Sequence, residues 1–230
     1  MEYLIDRANV ISLDEYLEKR TQSRPLPPRS VVLTFDDGIR NVLTTAAPYL
    51  ADKELPASLF VITDRVDARC GSTGSAEWSP ADDAASLSWP ETEELHRIFG
   101  FEIGSHSGSH ADLAALSRDE AAHELRRSND AIKDRLGAER LSLAYPYGRY
   151  SAGVMAQARD TGYRCGLTTS GGPNRATTDT FELRRTLIGD GDDEATFAAR
   201  VAGVTHILTV VATTGRRALA PMARRYRARR

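Results

Sequence analysis

The chain has 230 residues, 41% apolar and 27% charged, a length and balance that fit one globular domain with a sizeable core and exclude a disordered or low-complexity protein. Its net charge of −2 is unevenly spread: the last fifteen residues, Arg216 to Arg230, carry seven arginines and no acid, so an acidic body ends in a basic tail. Only two cysteines occur, Cys70 and Cys165, far apart and outside any CxxC pattern, which argues against a disulfide framework or a thiolate metal site.

In chain order, Met1 to Arg7 meets acids before an apolar core forms, so no signal peptide is expected. No run reaches membrane-spanning length, and a cytoplasmic protein is the default expectation. Ser12-Leu13-Asp14-Glu15 reads as a capping box opening a helix. Pro25-Leu26-Pro27-Pro28 is a connector that cannot be helical. Val31 to Phe35 is a strand, and 42–53 a helix with a kink or break at Pro48. Ala57 to Ile62 is the next strand. Residues 68–85, rich in Gly, Ser, Asp and Ala, read as a long loop of the kind that borders functional sites. Pro90 to Phe99 is a short helix and Phe101 to Ser105 a strand.

A second capping box, Ser117-Arg118-Asp119-Glu120, starts a helix that Gly137 stops near Leu136. Strands follow at Leu141 to Tyr145, Cys165 to Thr169 and Phe181 to Ile188, with a helix over 152–160 and helical structure from Asp193 onward. This alternation predicts an α/β protein with a parallel sheet, open or closed into a barrel. Residues 1–30 then form an N-terminal helix and proline-rich connector, 31–204 the catalytic domain, and 205–230 a basic helix or tail. That tail is a solvated end or a contact for anionic membrane or polymer; no specific nucleic-acid partner is expected.

In parallel α/β folds, reactive groups gather at the carboxyl ends of strands. Three polar clusters here sit at such ends: Asp36-Asp37-Gly38, His106-Ser107-Gly108-Ser109-His110, and Tyr145-Pro146-Tyr147-Gly148. Two acids ending an apolar strand are costly without a compensating cation, proton or donor. One carboxylate with two imidazoles makes a minimal site for a divalent metal, zinc first, with cobalt, manganese or nickel as alternatives. Asp37, His106 and His110 are the candidate ligands. Asp36, whose side chain should diverge from its neighbour's along a strand, is the candidate base. The alternative for the acids is an ordinary turn, and for the histidines a capping pair in a Ser/Gly-rich loop. On zinc, water reaches a pKa of roughly 7, so the chemistry predicted is hydrolysis of an amide or ester.

These motifs resemble those of the NodB-type polysaccharide deacetylases, carbohydrate esterase family four. Thr34-Phe35-Asp36-Asp37-Gly38 matches the family's first motif, His106-Ser107-Gly108-Ser109-His110 its second, and Tyr145-Pro146-Tyr147-Gly148 is similar to its third. The resemblance spans about Val31 to Ile188. It implies a distorted (β/α) barrel and metal-dependent removal of acetyl groups from an acetylated sugar polymer or oligomer. By matched position it makes Asp36 the base, Asp37, His106 and His110 the metal ligands, and the backbone N–H of Tyr147 an oxyanion donor.

Three departures stand out. Where the family often carries an arginine that orients the base, this chain has Ala144; Arg185 is the substitute expected, with Arg184 its rival. No late Leu-x-His motif supplies a general acid, and His206 is better read as structural or exposed than as that acid. The Tyr-His-bearing strand with which many relatives begin has no counterpart, so either the barrel lacks its first strand or the chain start is misplaced. His96 and His123 are expected to face solvent. Trp78 or Trp89, and the loop Gly171 to Asn174, are candidates to border a sugar. The reading is an N-deacetylase acting on GlcNAc-type units. The rivals are a hydrolase of small non-sugar amides, and a non-catalytic glycan- or membrane-associated module.

Overall fold

The computed structural model describes residues 2–69, 85–189 and 191–202. They fall into two units, one drawn from Met1–Thr168 and Ala176–Leu183, the other from Thr169–Arg175 and Arg184–Arg230. The first unit opens with α1 (Glu2–Arg7), β1 (Asn9–Val10) and α2 (Leu13–Thr21). Ser12 caps α2, its hydroxyl accepting from the Glu15 N–H at 2.9 Å. β2 (Ser30–Val31) pairs in parallel with β1. The predicted strand over 31–35 is thus divided at Val32 between β2 and β3 (Leu33–Phe35), which belong to different sheets.

The main sheet is parallel and five-stranded, in the order β3, β4 (Ala57–Val61), β5 (Glu102–Ser105), β6 (Ser142–Ala144), β7 (Cys165–Leu167). With its helices it makes the curled half-barrel of a distorted (β/α) barrel. Between β3 and β4 run a π-helical turn (Val42–Ala46) and α3 (Ala47–Asp52), with Pro48 in its first turn. Proline has no N–H to give an α-helical ladder; the wider turn absorbs that gap, so the kink or break predicted at Pro48 takes the form of a π turn just before it, and the helix continues through the proline. α4 (Thr63–Arg69) follows β4, and α5 (Trp89–Arg97) precedes β5. α6 (Arg118–Leu136) carries the predicted capping box of Ser117 and Glu120 and ends at left-handed Gly137, φ 68°. α7 (Ala152–Thr161) joins β6 to β7.

Side chains alternate across each strand, and the core is accordingly layered. Leu59, Val61, Ile103 and Leu143 pack with Leu95, Leu125, Ile132, Val154 and Ala158 of the flanking helices. Phe60, Ala144, Cys165 and Leu167 form a second cluster with Leu13 and Leu17 of α2. Burying two such leucines is worth about 1.5–3 kcal/mol each, which ties the N-terminal segment to the sheet. Cys165 is a buried free thiol, pushed up to about 12 by desolvation, so it is chemically inert.

The cluster around Phe60 leaves no room at Gly104, where a Cβ would lie 2.6 Å from the Phe60 ring and 2.9 Å from the Ser142 carbonyl oxygen. Overpacking of this kind costs about 1–3 kcal/mol. Urea denaturation of Gly104→Ala should therefore show a lower midpoint with an unchanged slope; a wild-type midpoint would refute this account of the packing.

Three expectations need correction. First, residues 68 and 69 are helical, the end of α4, rather than loop; most of that proposed loop, 70–84, lies outside the described residues, as do Cys70 and Trp78. Second, residues 181–188 are not a strand. Leu183 makes one parallel bridge to Leu167, with the Thr168 N–H donating to the Leu183 carbonyl at 2.7 Å. Beyond it, in the second unit, the Arg184 N–H bonds the Asn174 side chain at 2.8 Å and the Arg185 N–H the Ser170 carbonyl at 3.2 Å. Backbone groups satisfied by a loop are not available to a sheet ladder. Third, His96 does not simply face solvent: it is half-buried, with Nδ1 2.9 Å from the Phe101 carbonyl oxygen. His123 is exposed, as expected. The second unit contains α8 (Glu194–Val201), capped by Asp193. The basic tail and His206 lie outside the described residues.

Candidate metal centre

β3 ends at Phe35, and the two acids after it are already off the strand. Asp37 adopts φ 70° and Gly38 φ 67°, so two successive left-handed residues turn the chain. Neighbouring side chains diverge along a strand, but this turn cancels the expected divergence. Asp36 Oδ2 lies 4.0 Å, and Asp37 Oδ1 3.8 Å, from the same atom, His106 Nε2.

His106 follows directly on β5. Its ring is buried, and Nδ1 lies 2.8 Å from the Ala144 carbonyl oxygen of β6, so it is Nδ1–H that donates and Nε2 that keeps its lone pair. Burial holds the imidazole below its ordinary pKa, against the opposing pull of Asp36, so the neutral form prevails at pH 7.

The segment from His106 to His110 is a tight loop. Ser107 Oγ accepts from the His110 N–H at 3.0 Å, and both Ser107 (φ 64°) and His110 (φ 65°) are left-handed. That curl puts His110 Nε2 3.5 Å from Asp37 Oδ1 and the two imidazole centroids 4.8 Å apart. One donor atom from each of Asp37, His106 and His110 lies within 4.8 Å of the others. A tetrahedral ion with bonds of about 2.0–2.1 Å spaces its donors by roughly 3.3 Å. Distances of 3.5 and 3.8 Å, with an anionic oxygen and a neutral imidazole nitrogen, fit a divalent cation of that kind after small side-chain adjustments.

The third cluster borders the other two. Tyr145 is buried, its hydroxyl donating to the Phe181 carbonyl at 3.1 Å. Pro146 to Gly148 form a short 3-10 turn in which Tyr147 is left-handed, φ 58°. Tyr147 is 58% exposed, its ring centroid lies 4.6 Å from that of His110, and the Arg149 guanidinium stands 5.7 Å from the Tyr147 ring centroid. Non-glycine residues at positive φ cost energy and concentrate at functional sites; Asp37, His110 and Tyr147 all do so here.

The structure thus brings together five of the six predicted residues: Asp36, Asp37, His106, His110 and Tyr147. Arg185, like Arg184, belongs to the second unit, and its assignment to Asp36 rests on the sequence alone. Trp89 is not a sugar platform: it is buried, 3% exposed, with the Arg135 guanidinium 5.8 Å from its ring. Sequence reasoning missed Glu124, Arg127 and Asp64, which surround the histidine loop. Their spacing of three on α6, and their separation in sequence from α4, look like ordinary surface charge.

A family model described as polysaccharide deacetylase matches residues 23–166. Among curated relatives, the poly-beta-1,6-N-acetyl-D-glucosamine N-deacetylase of Staphylococcus epidermidis is 22% identical over 191 residues, covering 80% of this chain and 62% of that protein. The chain spans about three fifths of the length of the first curated relatives it matches. Two solved structures share the fold. The deacetylase PplD of Streptococcus pyogenes superposes with a TM-score of 0.74 at 24% identity, covering 87% of this chain and 83% of that one. The BpsB deacetylase domain from Bordetella bronchiseptica gives 0.70 at 26%, covering 81% and 82%.

Proposed function

Because the chain belongs to the polysaccharide deacetylase family, we propose that it is a metal-dependent hydrolase that removes N-acetyl groups from GlcNAc-type units of a polysaccharide or surface-glycan precursor. The observation that carries this reading is the convergence of Asp37, His106 and His110 within 4.8 Å, with the Asp36 carboxylate beside them. A divalent cation held by those three side chains would supply Lewis acidity, activating water and favouring negative charge on the amide oxygen.

The rest of the chemistry falls to the chain itself. Asp36, partly open to solvent, takes a proton from the attacking water. Oxygen adds to the acetyl carbon, and the Tyr147 backbone N–H, set by its left-handed turn, donates to the oxygen on which charge develops. The C–N bond then breaks, the nitrogen receives the proton held by Asp36, and a free amine and acetic acid leave, the acid giving its remaining proton to solvent to become acetate. His106 stays neutral throughout, because burial disfavours its charged form and the Ala144 carbonyl fixes its tautomer. The name of the Staphylococcus epidermidis relative supports an N-acetylglucosamine polymer as the substrate class.

Acetate release from acetylated glucosamine oligomers tests this. Activity should vanish on dialysis against a chelator and return with zinc or cobalt. No acetate from any metal-reconstituted sample would overturn the proposal.

A further inference from the structure

We propose that Glu124 and Arg127 of α6, together with Asp64 of α4, form a clamp that sets the spacing of His106 and His110 and so the metal affinity of the site. The inference rests on the reading of Asp37, His106 and His110 as a metal centre. The three residues between the histidines are held at four of their six polar backbone groups. The Ser107 N–H donates to Ser105 Oγ at 3.1 Å, and Ser105 Oγ is itself 2.7 Å from Ser128 Oγ. The Thr63 N–H reaches the Ser107 carbonyl at 3.4 Å and the Asp64 N–H the Gly108 carbonyl at 3.0 Å.

The Ser109 N–H, next to His110, donates to Glu124 Oε2 at 2.8 Å. Glu124 is a charged residue only 9% exposed, and its other oxygen accepts from Arg127 at 2.7 Å. The same guanidinium donates to Asp64 Oδ1 at 2.5 Å, so one arginine ties α6 to α4 across the loop. It also lies close against Gly108, where a Cβ would sit 2.2 Å from Nη2. A carboxylate on a backbone N–H with a planar guanidinium behind it is a directional arrangement. None of these groups is a metal ligand. Their effect on the metal must pass through the position of the loop, whose last residue carries one imidazole.

Glu124→Gln removes the charge that holds Arg127. Arg127→Lys keeps the charge but loses the fork that spans both carboxylates. Gly108→Ala drives a methyl group into the guanidinium. Zinc affinity, measured by competition with a chromophoric chelator, should fall about 10–100-fold in each, the range seen when groups supporting metal ligands are removed. The visible spectrum of the cobalt-loaded variants should change in intensity as the coordination geometry relaxes. Thermal melts of the metal-free proteins report folding separately, and Arg127→Lys and Gly108→Ala keep the test decisive should Glu124→Gln not fold. Folded variants with wild-type zinc affinity and cobalt spectra would overturn the clamp. A wild-type protein that takes up no zinc would instead overturn the metal centre on which it rests.

Discussion

Asp37→Ala protein should purify without metal and release acetate at a rate at least about 10³-fold below wild type. Asp37 is the anionic donor of the cluster, 3.5 Å from His110 Nε2 and 3.8 Å from His106 Nε2. Without it two neutral imidazoles remain, and the several kcal/mol of charge stabilisation that a cation contributes to a hydrolytic transition state is lost, at a factor of ten for each 1.36 kcal/mol. The backbone complicates the alanine variant. Asp37 sits at φ 70°, a region that aspartate and asparagine tolerate better than alanine does. Asp37→Asn is the control for this, since it keeps the turn and removes only the charge. Both variants should lose metal, measured by elemental analysis, while circular dichroism shows a retained fold. Full metal content with wild-type acetate release in Asp37→Ala would end the assignment.

Asp36→Asn should behave differently, and the contrast separates the two acids. Its carboxylate stands 4.0 Å from His106 Nε2 but outside the cluster of ligand atoms. Metal content should therefore stay near that of wild type while kcat falls by about 10²–10⁴, the usual worth of a positioned general base. The acid limb of the kcat/KM profile should disappear with it, because that limb reports protonation of the base in the free enzyme. Loss of metal in Asp36→Asn would assign this carboxylate to the cation instead. Unchanged kcat would remove it from the chemistry.

Much of this molecule could be read from its chain. β4, β5 and β7 appear where short apolar runs are bounded by turns, and α6 begins and ends at Ser117 and Gly137 because caps are local chemistry. The two acids and two histidines were legible as a set since each follows a strand of a parallel sheet. Other features were hidden for identifiable reasons. α4 begins two residues after β4 ends and runs on toward small residues, so its last two positions, 68 and 69, fall in a stretch whose composition reads as loop. Residues 181–188 have the composition of a strand, yet Asn174 and Ser170 take the backbone N–H groups of Arg184 and Arg185 that a ladder would need. The convergence of Asp36 and Asp37 on one imidazole depends on a left-handed backbone at a non-glycine residue, which no side-chain pattern announces. The Glu124–Arg127–Asp64 contact joins two helices some 60 residues apart; only the folded arrangement makes neighbours of them.

The orientation of His106 is secured by a carbonyl of β6 and not by a side chain. Mutational drift at position 144 therefore cannot erase the acceptor, and any residue small enough for that buried slot leaves the imidazole tautomer as it is. Sequence change within that slot is thereby decoupled from the upkeep of one candidate metal ligand.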